Sequence, residues 1–120
     1  FADLLLAELK LGTVDWQPNF DGSLLEPTIL PAKIPSILLN GTTGIAVGMA
    51  TDIPSHNIKE VLDACMHVLE NPKASTKELL KFIKGPDFSN HAPIIASSEE
   101  LQEMYETGRG GFKIRAHWDV

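Results

Sequence analysis

Residues 40–57 read Asn-Gly-Thr-Thr-Gly-Ile-Ala-Val-Gly-Met-Ala-Thr-Asp-Ile-Pro-Ser-His-Asn, and this run decides most of what the sequence predicts. It opens with Asn-Gly and Thr-Thr-Gly, which predict a turn because these residues tolerate positive φ or bond locally to the backbone. From Ile45 onward large and small side chains alternate, so we expect a strand with a bulky face and a nearly bare face. The bulky face would carry Ile45, Val47 and Met49, and the bare face Ala46, Gly48 and Ala50. A bare face lets another backbone approach closely, and the turn would place Ile45 near an exposed tip.

Glycines and prolines divide the chain before this run. An apolar helical pattern through residue 11 ends at Gly12, a residue type that commonly terminates helices. Residues 13–35 contain four prolines and several other turn-forming residues, so we expect a long irregular N-terminal stretch there. A short apolar piece, residues 34–39, then leads into the predicted turn.

Three helices are predicted after the run, each by a capping pair that is followed by apolar residues at helical spacing. The pairs are Asn57 with Glu60, Ser75 with Glu78, and Ser97 with Glu100. The second helical segment would end at Gly85-Pro86 and the third at Gly108. Each pair therefore marks the start of a predicted helix.

Two strands complete the predicted elements. Residues 94–96 form a short apolar run, and the last segment alternates from Phe112 to Trp118. Its apolar face would carry Phe112, Ile114, Ala116 and Trp118, and its outer face Lys113, Arg115 and His117. Because helices and strands are interspersed without an internal repeat, we expect an α+β fold with helices packed on a small mixed sheet.

The composition fits one domain, and its charge is unevenly distributed. A chain of 120 residues with 43% hydrophobic content can bury a real core. The net charge of −6 argues against a chain that grips nucleic acid by itself. Residues 107–118, however, contain Arg109, Lys113 and Arg115 and no acidic residue, so a local basic strip is expected.

The apolar runs bear on where the protein is located, and the first residue bears on whether the chain is part of a longer protein. No run approaches the roughly 18 apolar residues of a membrane span, and no signal segment precedes the fold, so we expect a cytoplasmic protein. The chain begins at Phe1, within a helical pattern, rather than at Met. We therefore expect it to be cut from a longer protein.

Other kinds of site are weakly supported. Gly41, Gly44 and Gly48 suggest a phosphate-binding loop, but no Lys-Ser/Thr pair follows them and the spacing is not a dinucleotide fingerprint. The four histidines and Cys65 lack the paired spacing of metal ligands. Cys65, the only cysteine, cannot form an intrachain disulfide and is expected to be a small buried hydrophobe.

Residues 40–57 resemble the A subunit of bacterial type IIA DNA topoisomerases. Further segments match the same family in the same order, so the resemblance covers essentially the whole chain: Thr13–Trp16, Asn19–Gly22, Leu30–Pro35, Gly85–Phe88 and Thr107–Gly110. Thr42-Thr43 and the ending 115–118 are more similar to the topoisomerase IV branch than to the gyrase branch. Two positions depart from the family pattern: Ser55 stands where a second proline is usual, and Lys33 where arginine is common.

The resemblance implies a location and a set of DNA contacts. Residues 1–120 would be a fragment of the breakage-reunion (DNA gate) region of a larger multidomain protein, a tower-like part, with 1–12 the end of a helix from the preceding domain. Ile45 would be an intercalating wedge that enters between stacked base pairs and bends the DNA gate segment. The residues implied to contact the DNA backbone are Lys33, Asn40, Thr42 and Thr43, and Lys113 and Arg115 could also face DNA.

Judged without the resemblance, these residues have ordinary structural alternatives. Ile45 would then be part of a strand core. The polar residues of the predicted turn would bond only to their own backbone, and the basic strand face would simply be solvated.

The resemblance also implies partners and chemistry. The intact enzyme would be an A2B2 assembly, an A-subunit homodimer with topoisomerase IV B subunits, that changes DNA topology by ATP-dependent double-strand passage. ATP and Mg2+ would belong to the B subunit, with no cofactor, metal site or catalytic residue in this chain, and the enzyme would be nucleoid-associated in the bacterial cytoplasm. The nucleophilic tyrosine would precede Phe1, which leaves Tyr105 a partly buried structural role. A gyrase A subunit fragment, or a packing and interaction domain without DNA binding of its own, remains the alternative.

Overall fold

Residues 2–116 and 118 are described in the computed structural model of the chain. The chain divides into two units, Phe1–Ser36 and Ile37–Val120. Helices and short antiparallel strand pairs alternate along the described residues, which confirms the α+β class. The expected small mixed sheet is replaced, in the described part of the chain, by three separate two-stranded antiparallel sheets.

The first unit begins with a short helix and contains a hairpin that the sequence did not predict. Helix α1 (Ala2–Leu6) is followed by a 3-10 turn (Leu9–Leu11), which ends at Gly12 with a φ of 71°. Strand β1 (Trp16–Pro18) then pairs with β2 (Leu25–Pro27). The expectation of an irregular stretch from 13 to 35 is therefore wrong for these six residues. Their prolines stand at strand ends, where the lack of an N–H disturbs little of the hydrogen-bond ladder.

The connection between β1 and β2 is closed by polar side chains. The Asp21 carboxylate accepts hydrogen bonds from the N–H and the hydroxyl of Ser23, at 2.9 and 2.6 Å. The Asn19 side-chain oxygen accepts from the N–H of Leu24 at 3.2 Å. These are local turns of the kind that Asp and Asn favour, so residues that interrupt a regular pattern also close the hairpin here.

The second unit begins with a helix and a hairpin, and the hairpin is formed by residues of the run 40–57. Helix α2 (Ser36–Asn40), whose first residue is the last of the first unit, leads into β3 (Thr42–Ala46), which pairs with β4 (Met49–Ile53). The predicted turn at 40–44 and the predicted strand from Ile45 to Ala50 are wrong. The chain reverses instead at Val47-Gly48, where Gly48 supplies a positive φ of 76°.

The remaining helices begin where the capping pairs predict. They are α3 (Ile58–Glu70), α4 (Thr76–Leu79) and α5 (Ser98–Thr107). Both serine pairs form complete capping boxes, and Gly108 ends α5 with a φ of 66°. Asn57 caps α3 as predicted, but Glu60 does not close the box, since its carboxylate accepts the N–H of Lys84 at 3.1 Å.

The last sheet and the core are smaller than expected. Strand β5 (Ile94–Ile95) pairs with β6 (Lys113–Ile114), and His117, predicted on the outer face of the last strand, lies outside the described residues. Only Val61 and Ala64, both on α3, are buried hydrophobic residues in the described part of the chain. The expectation of a sizeable core is wrong for these residues, and Cys65 is only partly buried. None of the described helices has the length and apolar character needed to cross a bilayer.

Candidate nucleic-acid interface

The hairpin β3–β4 is exposed along its whole length. Every residue from Thr42 to Asp52 is exposed, although the hairpin contains Ile45, Val47 and Met49. Large apolar side chains on an uncovered hairpin are typical of a surface that receives another molecule. The hairpin is therefore the first candidate for an interface.

The pairing register assigns each side chain of the hairpin to a face. Ile45 lies opposite Ala50, and Ala46 lies opposite Met49. Residues directly opposite each other in an antiparallel pair point to the same side of the sheet. We call the side with Thr43, Ile45, Ala50 and Asp52 the Ile45 face. The predicted bulky and bare faces are wrong, because the chain reverses between Ala46 and Met49 and separates Ile45 from Met49.

Ile45 itself projects freely near the tip of the hairpin, as expected. Its side chain is 90% exposed, so the alternative of a strand-core residue is wrong. Its neighbours along the strand are Gly44 and Ala46, and Ala50 lies across from it. Small neighbours leave the isoleucine as the tallest apolar group on its face, a shape suited to insertion between flat surfaces.

Thr43 and Asp52 form a side-chain hydrogen bond on the same face as Ile45. The Thr43 hydroxyl donates to the Asp52 carboxylate at 3.1 Å. Thr43 could donate to a phosphate only by giving up this bond, and a carboxylate beside Ile45 repels phosphate. No local sequence pattern predicts this bond, because only the register places Asp52 opposite Thr43.

The other polar candidates of the run occupy the base of the hairpin. Asn40 is the last residue of α2, and Thr42 is the first residue of β3, on the face opposite to Thr43. Both are exposed and lie on either side of Gly41. Their side chains therefore remain candidate donors to phosphate oxygens.

Gly41 closes the base of the hairpin by a close backbone approach. Its φ is 68°, and a Cβ built on it would collide with the Ile53 carbonyl oxygen and lie 2.9 Å from the Ser55 nitrogen. Only glycine fits such a position without displacing the backbone. The two ends of the hairpin are thus held against each other.

Lys33 belongs to the first unit, whereas the other predicted backbone contacts belong to the second. Its Nζ lies 3.8 Å from Glu8 Oε1, and about half of its side chain is exposed. An exposed ion pair of this kind contributes only about 0–1 kcal/mol. The lysine could therefore exchange Glu8 for a phosphate at little cost.

Lys113 and Arg115 lie on an exposed edge next to an acidic residue. Both are exposed, and they line a surface groove together with Ser97 and Glu100. The Arg115 N–H donates to the Pro93 carbonyl at 3.0 Å, which fixes the backbone there. Glu100 reduces the local positive potential that the sequence alone indicates.

His56 is the one buried polar residue of the described chain, and its role is not predicted by the sequence. Its side chain is only 6% exposed. Its Nδ1 lies 3.1 Å from the Leu38 carbonyl oxygen, and its Nε2 lies 2.6 Å from the Tyr105 hydroxyl. The only signal in the sequence is its place in Pro-Ser-His-Asn, directly before the cap of α3.

Tyr105 occupies the structural position expected for it. It is half-buried on α5, and burial, together with the negative charge of Glu60, raises the pKa of its hydroxyl to about 12. A high pKa keeps the hydroxyl protonated at neutral pH, when it can hydrogen-bond to His56. This environment does not favour an attacking phenolate.

The segment after β4 is also held by Asp87. The Ser55 hydroxyl donates to the Asp87 carbonyl at 2.7 Å, and the Asp87 N–H donates to the Ser55 carbonyl at 2.8 Å. The Asn57 side-chain N–H donates to the Asp87 carboxylate at 3.0 Å. Gly85 and Pro86, which precede Asp87, are buried. The chain leaving the hairpin is therefore held at three consecutive residues, 55–57.

Possible metal ligands do not cluster in the part of the chain that the structure describes. Within residues 2–116 and 118, no three His, Cys, Asp or Glu side chains converge to form a cation site.

Comparisons with known proteins agree with the resemblance of residues 40–57. The family model for the A subunit of DNA gyrase/topoisomerase IV matches residues 1–120. The chain is 58% identical over 117 residues to the DNA topoisomerase 4 A subunit of Haemophilus influenzae, covering 98% of this chain. The proteins of the same name from Pseudomonas aeruginosa and Escherichia coli are 55% and 54% identical, over 100% and 98% of this chain.

These relatives confirm the predicted likeness to the topoisomerase IV branch. The chain spans 16% of the length of each of the three relatives. The match covers nearly all of this chain at more than half identity, and it includes the hairpin β3–β4 and the segments that hold its base. The chain belongs to the family of DNA gyrase and topoisomerase IV A subunits.

Proposed function

We propose that the hairpin β3–β4 binds and bends a double-stranded DNA segment, with Ile45 inserted between base pairs. The supporting observation is a 90% exposed isoleucine on a hairpin whose base is fixed by hydrogen bonds. Insertion between base pairs costs a few kcal/mol for each unstacked step and is offset by the extra contacts that bent DNA makes. An inserted side chain therefore has to be held in place, and the contacts at the base of this hairpin would hold it.

The polar candidates would hold the duplex without reading its sequence. Lys33 would neutralise one phosphate. The hydrogen-bond donors to oxygens of the DNA backbone would be Asn40, Thr42 and Thr43. Thr43 would first have to give up its hydrogen bond to Asp52. Lys113 and Arg115 are further candidates on a second exposed edge. Because the net charge is −6, we expect this chain to bind DNA weakly by itself.

In this proposal the chain acts within a larger assembly. The relatives are named as A subunits of topoisomerase 4, so we propose an A2B2 enzyme that passes one DNA duplex through another with ATP hydrolysis. ATP and Mg2+ would be bound by the B subunit, and the enzyme would act on the bacterial nucleoid. The nucleophilic tyrosine would lie outside this chain, since burial raises the pKa of Tyr105 to about 12 and disfavours an attacking phenolate there. This chain would bend the DNA rather than cleave it.

A pair of matched substitutions tests the wedge. In the assembled enzyme, Ile45→Ala should reduce DNA bending, measured by energy transfer between dyes at the two ends of a duplex. DNA cleavage should fall with bending, while ATP hydrolysis by the B subunit continues. Both Ile45 and the control residue Val47 are almost fully exposed, so neither substitution should change the free energy of unfolding by more than about 0.5 kcal/mol.

Val47→Ala is the control, since Val47 belongs to the turn and Ile45 to the strand. This variant should bend DNA normally. Equal bending by Ile45→Ala and the unsubstituted protein would contradict the proposal.

A packing domain without DNA binding is the second candidate function. It is favoured by the acidic total charge and by Asp52, which shares the Ile45 face. Fluorescence anisotropy with a duplex at low salt separates the two candidates. Binding by the full chain that weakens in Ile45→Ala supports DNA bending, and no binding even within the assembled enzyme supports a packing role.

A further inference from the structure

One buried histidine helps to hold the base of the hairpin β3–β4. Leu38 lies two residues before Asn40, on the chain that enters the hairpin, and His56 lies three residues after β4, on the chain that leaves it. The hydrogen bond between His56 Nδ1 and the Leu38 carbonyl therefore joins the two ends of the hairpin. The second ring nitrogen of His56 bonds to Tyr105 on α5, 49 residues further along the chain.

The chemistry of the partners fixes the tautomer of the histidine. A carbonyl oxygen can only accept, so His56 Nδ1 must carry the hydrogen that is shared with Leu38. In the neutral ring Nε2 is then an acceptor, and Tyr105 must be the donor. The Tyr105 hydroxyl is suited to this role, because burial keeps it protonated far above neutral pH. The three groups form a directed chain of two hydrogen bonds from Tyr105 through His56 to Leu38.

We propose that Tyr105 and His56 are positioning residues, which set the orientation of the hairpin β3–β4 from helix α5. The inference rests on the proposed function only in what that orientation is for, the insertion of Ile45 into DNA. Neither residue touches DNA in this proposal, because His56 is buried and Tyr105 is directed toward it. Without the two His56 hydrogen bonds, Gly41, Ser55 and Asn57 would remain to hold the hairpin base.

The first test needs no DNA. In the isotopically labelled full chain, the ring nitrogen shifts of His56 should show the Nδ1–H tautomer. Tyr105→Phe removes only the hydroxyl, and His56→Asn retains an amide donor for Leu38 while removing the acceptor for Tyr105. In both variants the amide order parameters of residues 45–48 should fall from about 0.85 to below about 0.6.

Ser75→Ala is the control for a general loss of stability. It removes the cap of α4, which is part of neither the hairpin nor the His56 contacts, so the hairpin should keep its order. Hairpin order parameters that are unchanged in Tyr105→Phe and His56→Asn would overturn the inference, as would an Nε2–H tautomer of His56.

The second test separates this inference from the proposed function. Both substitutions should reduce DNA bending by the assembled enzyme. The reduction caused by Tyr105→Phe should be at least half of the reduction caused by Ile45→Ala. If Ile45→Ala reduces bending and Tyr105→Phe does not, the positioning role is wrong and the wedge stands. If Ile45→Ala has no effect while Tyr105→Phe disorders the hairpin, the wedge is wrong and the positioning role stands.

Discussion

Gly41 lies where the backbone of the hairpin base leaves no room for a side chain. Both its positive φ and the collision of an added Cβ with Ile53 oppose substitution. Gly22 has a similar φ of 71° but nothing within 4 Å of an added Cβ, so it isolates the effect of backbone strain. We expect Gly41→Ala to lower the free energy of unfolding by about 1–3 kcal/mol more than Gly22→Ala does.

Denaturant titration of the two variants measures this difference directly. Equal losses would mean that the approach of Gly41 to residues 53–55 is not a constraint on the fold. A further control is Gly44→Ala, because Gly44 has open space around it. This substitution should have little effect.

Tyr105 is the only tyrosine in the chain, so its ionisation can be followed by ultraviolet absorbance alone. We expect a midpoint near 12 in the folded protein and near the ordinary value of 10.0 in denaturant. Because the pKa is raised by folding, the stabilising contribution is fully present below pH 10. It is lost as the pH rises from 10 to 12, since the unfolded state releases its proton first. The same midpoint in both states would mean that the hydroxyl is not buried against His56.

At the scale of single elements, the helix starts were predictable and the hairpins were not. A helix start depends on a few adjacent residues, such as Ser97 and Glu100, and these form the predicted capping box. A hairpin depends on which strand pairs with which and in what register, and no local pattern states this. The Asn-Gly signal at 40–41 predicts a turn, but that position joins α2 to β3, and the reversal occurs at Val47-Gly48.

At the candidate site, too, strand register and contacts between distant residues are not predicted by local sequence patterns. The sequence predicts Ile45 near a tip, and it lies there, but because of a different turn from the one expected. The contacts of His56 with Leu38 and Tyr105 join residues 18 and 49 positions apart, which periodicity cannot reveal. The pairing of Thr43 with Asp52 depends on the register as well.

Because of its capping box, the stability of helix α5 should depend on pH in the acid range. The N–H of Ser97 donates to the Glu100 carboxylate at 2.7 Å, and this bond lowers the pKa of Glu100 below 4.5. Because folding lowers this pKa, the ionised carboxylate stabilises the folded protein at pH values above the pKa of the unfolded chain. This contribution is lost as the pH falls through the pKa of the folded protein. We expect α5 amide protection from hydrogen exchange to decrease on acidification below pH 4.5.

Glu100→Gln provides the control for that dependence. The amide retains an oxygen for the Ser97 N–H but does not titrate, so the acid dependence at the start of α5 should disappear. If it persisted unchanged, the carboxylate would not be its source.

For the molecule as a whole, the small core has an energetic consequence. Val61 and Ala64 are the buried hydrophobic residues of the described chain, whereas many large apolar side chains are exposed, including Phe20, Leu69 and Val47. Buried apolar area is the main favourable term in folding. We therefore expect the isolated chain to unfold with a free energy below about 5 kcal/mol, the lower end of the usual range for a domain.

Urea denaturation of the isolated chain checks this expectation, and an environment-sensitive apolar dye should also bind to its surface. A free energy of about 10 kcal/mol, typical of the middle of that range, would contradict it. The chain spans 16% of the length of its relatives, and in our proposal the remainder of the protein covers these surfaces.

In our proposal Ile45 unstacks a base step, and stacking can be measured at that step. A fluorescent adenine analogue, dim when stacked, is placed at successive positions along a duplex that is bound by the assembled enzyme. We predict that emission rises at one step in each half of the bend, that Ile45→Ala abolishes the rise, and that Val47→Ala preserves it. Emission that stays low at every position, or that rises equally with Ile45→Ala, would contradict the insertion of Ile45 between base pairs.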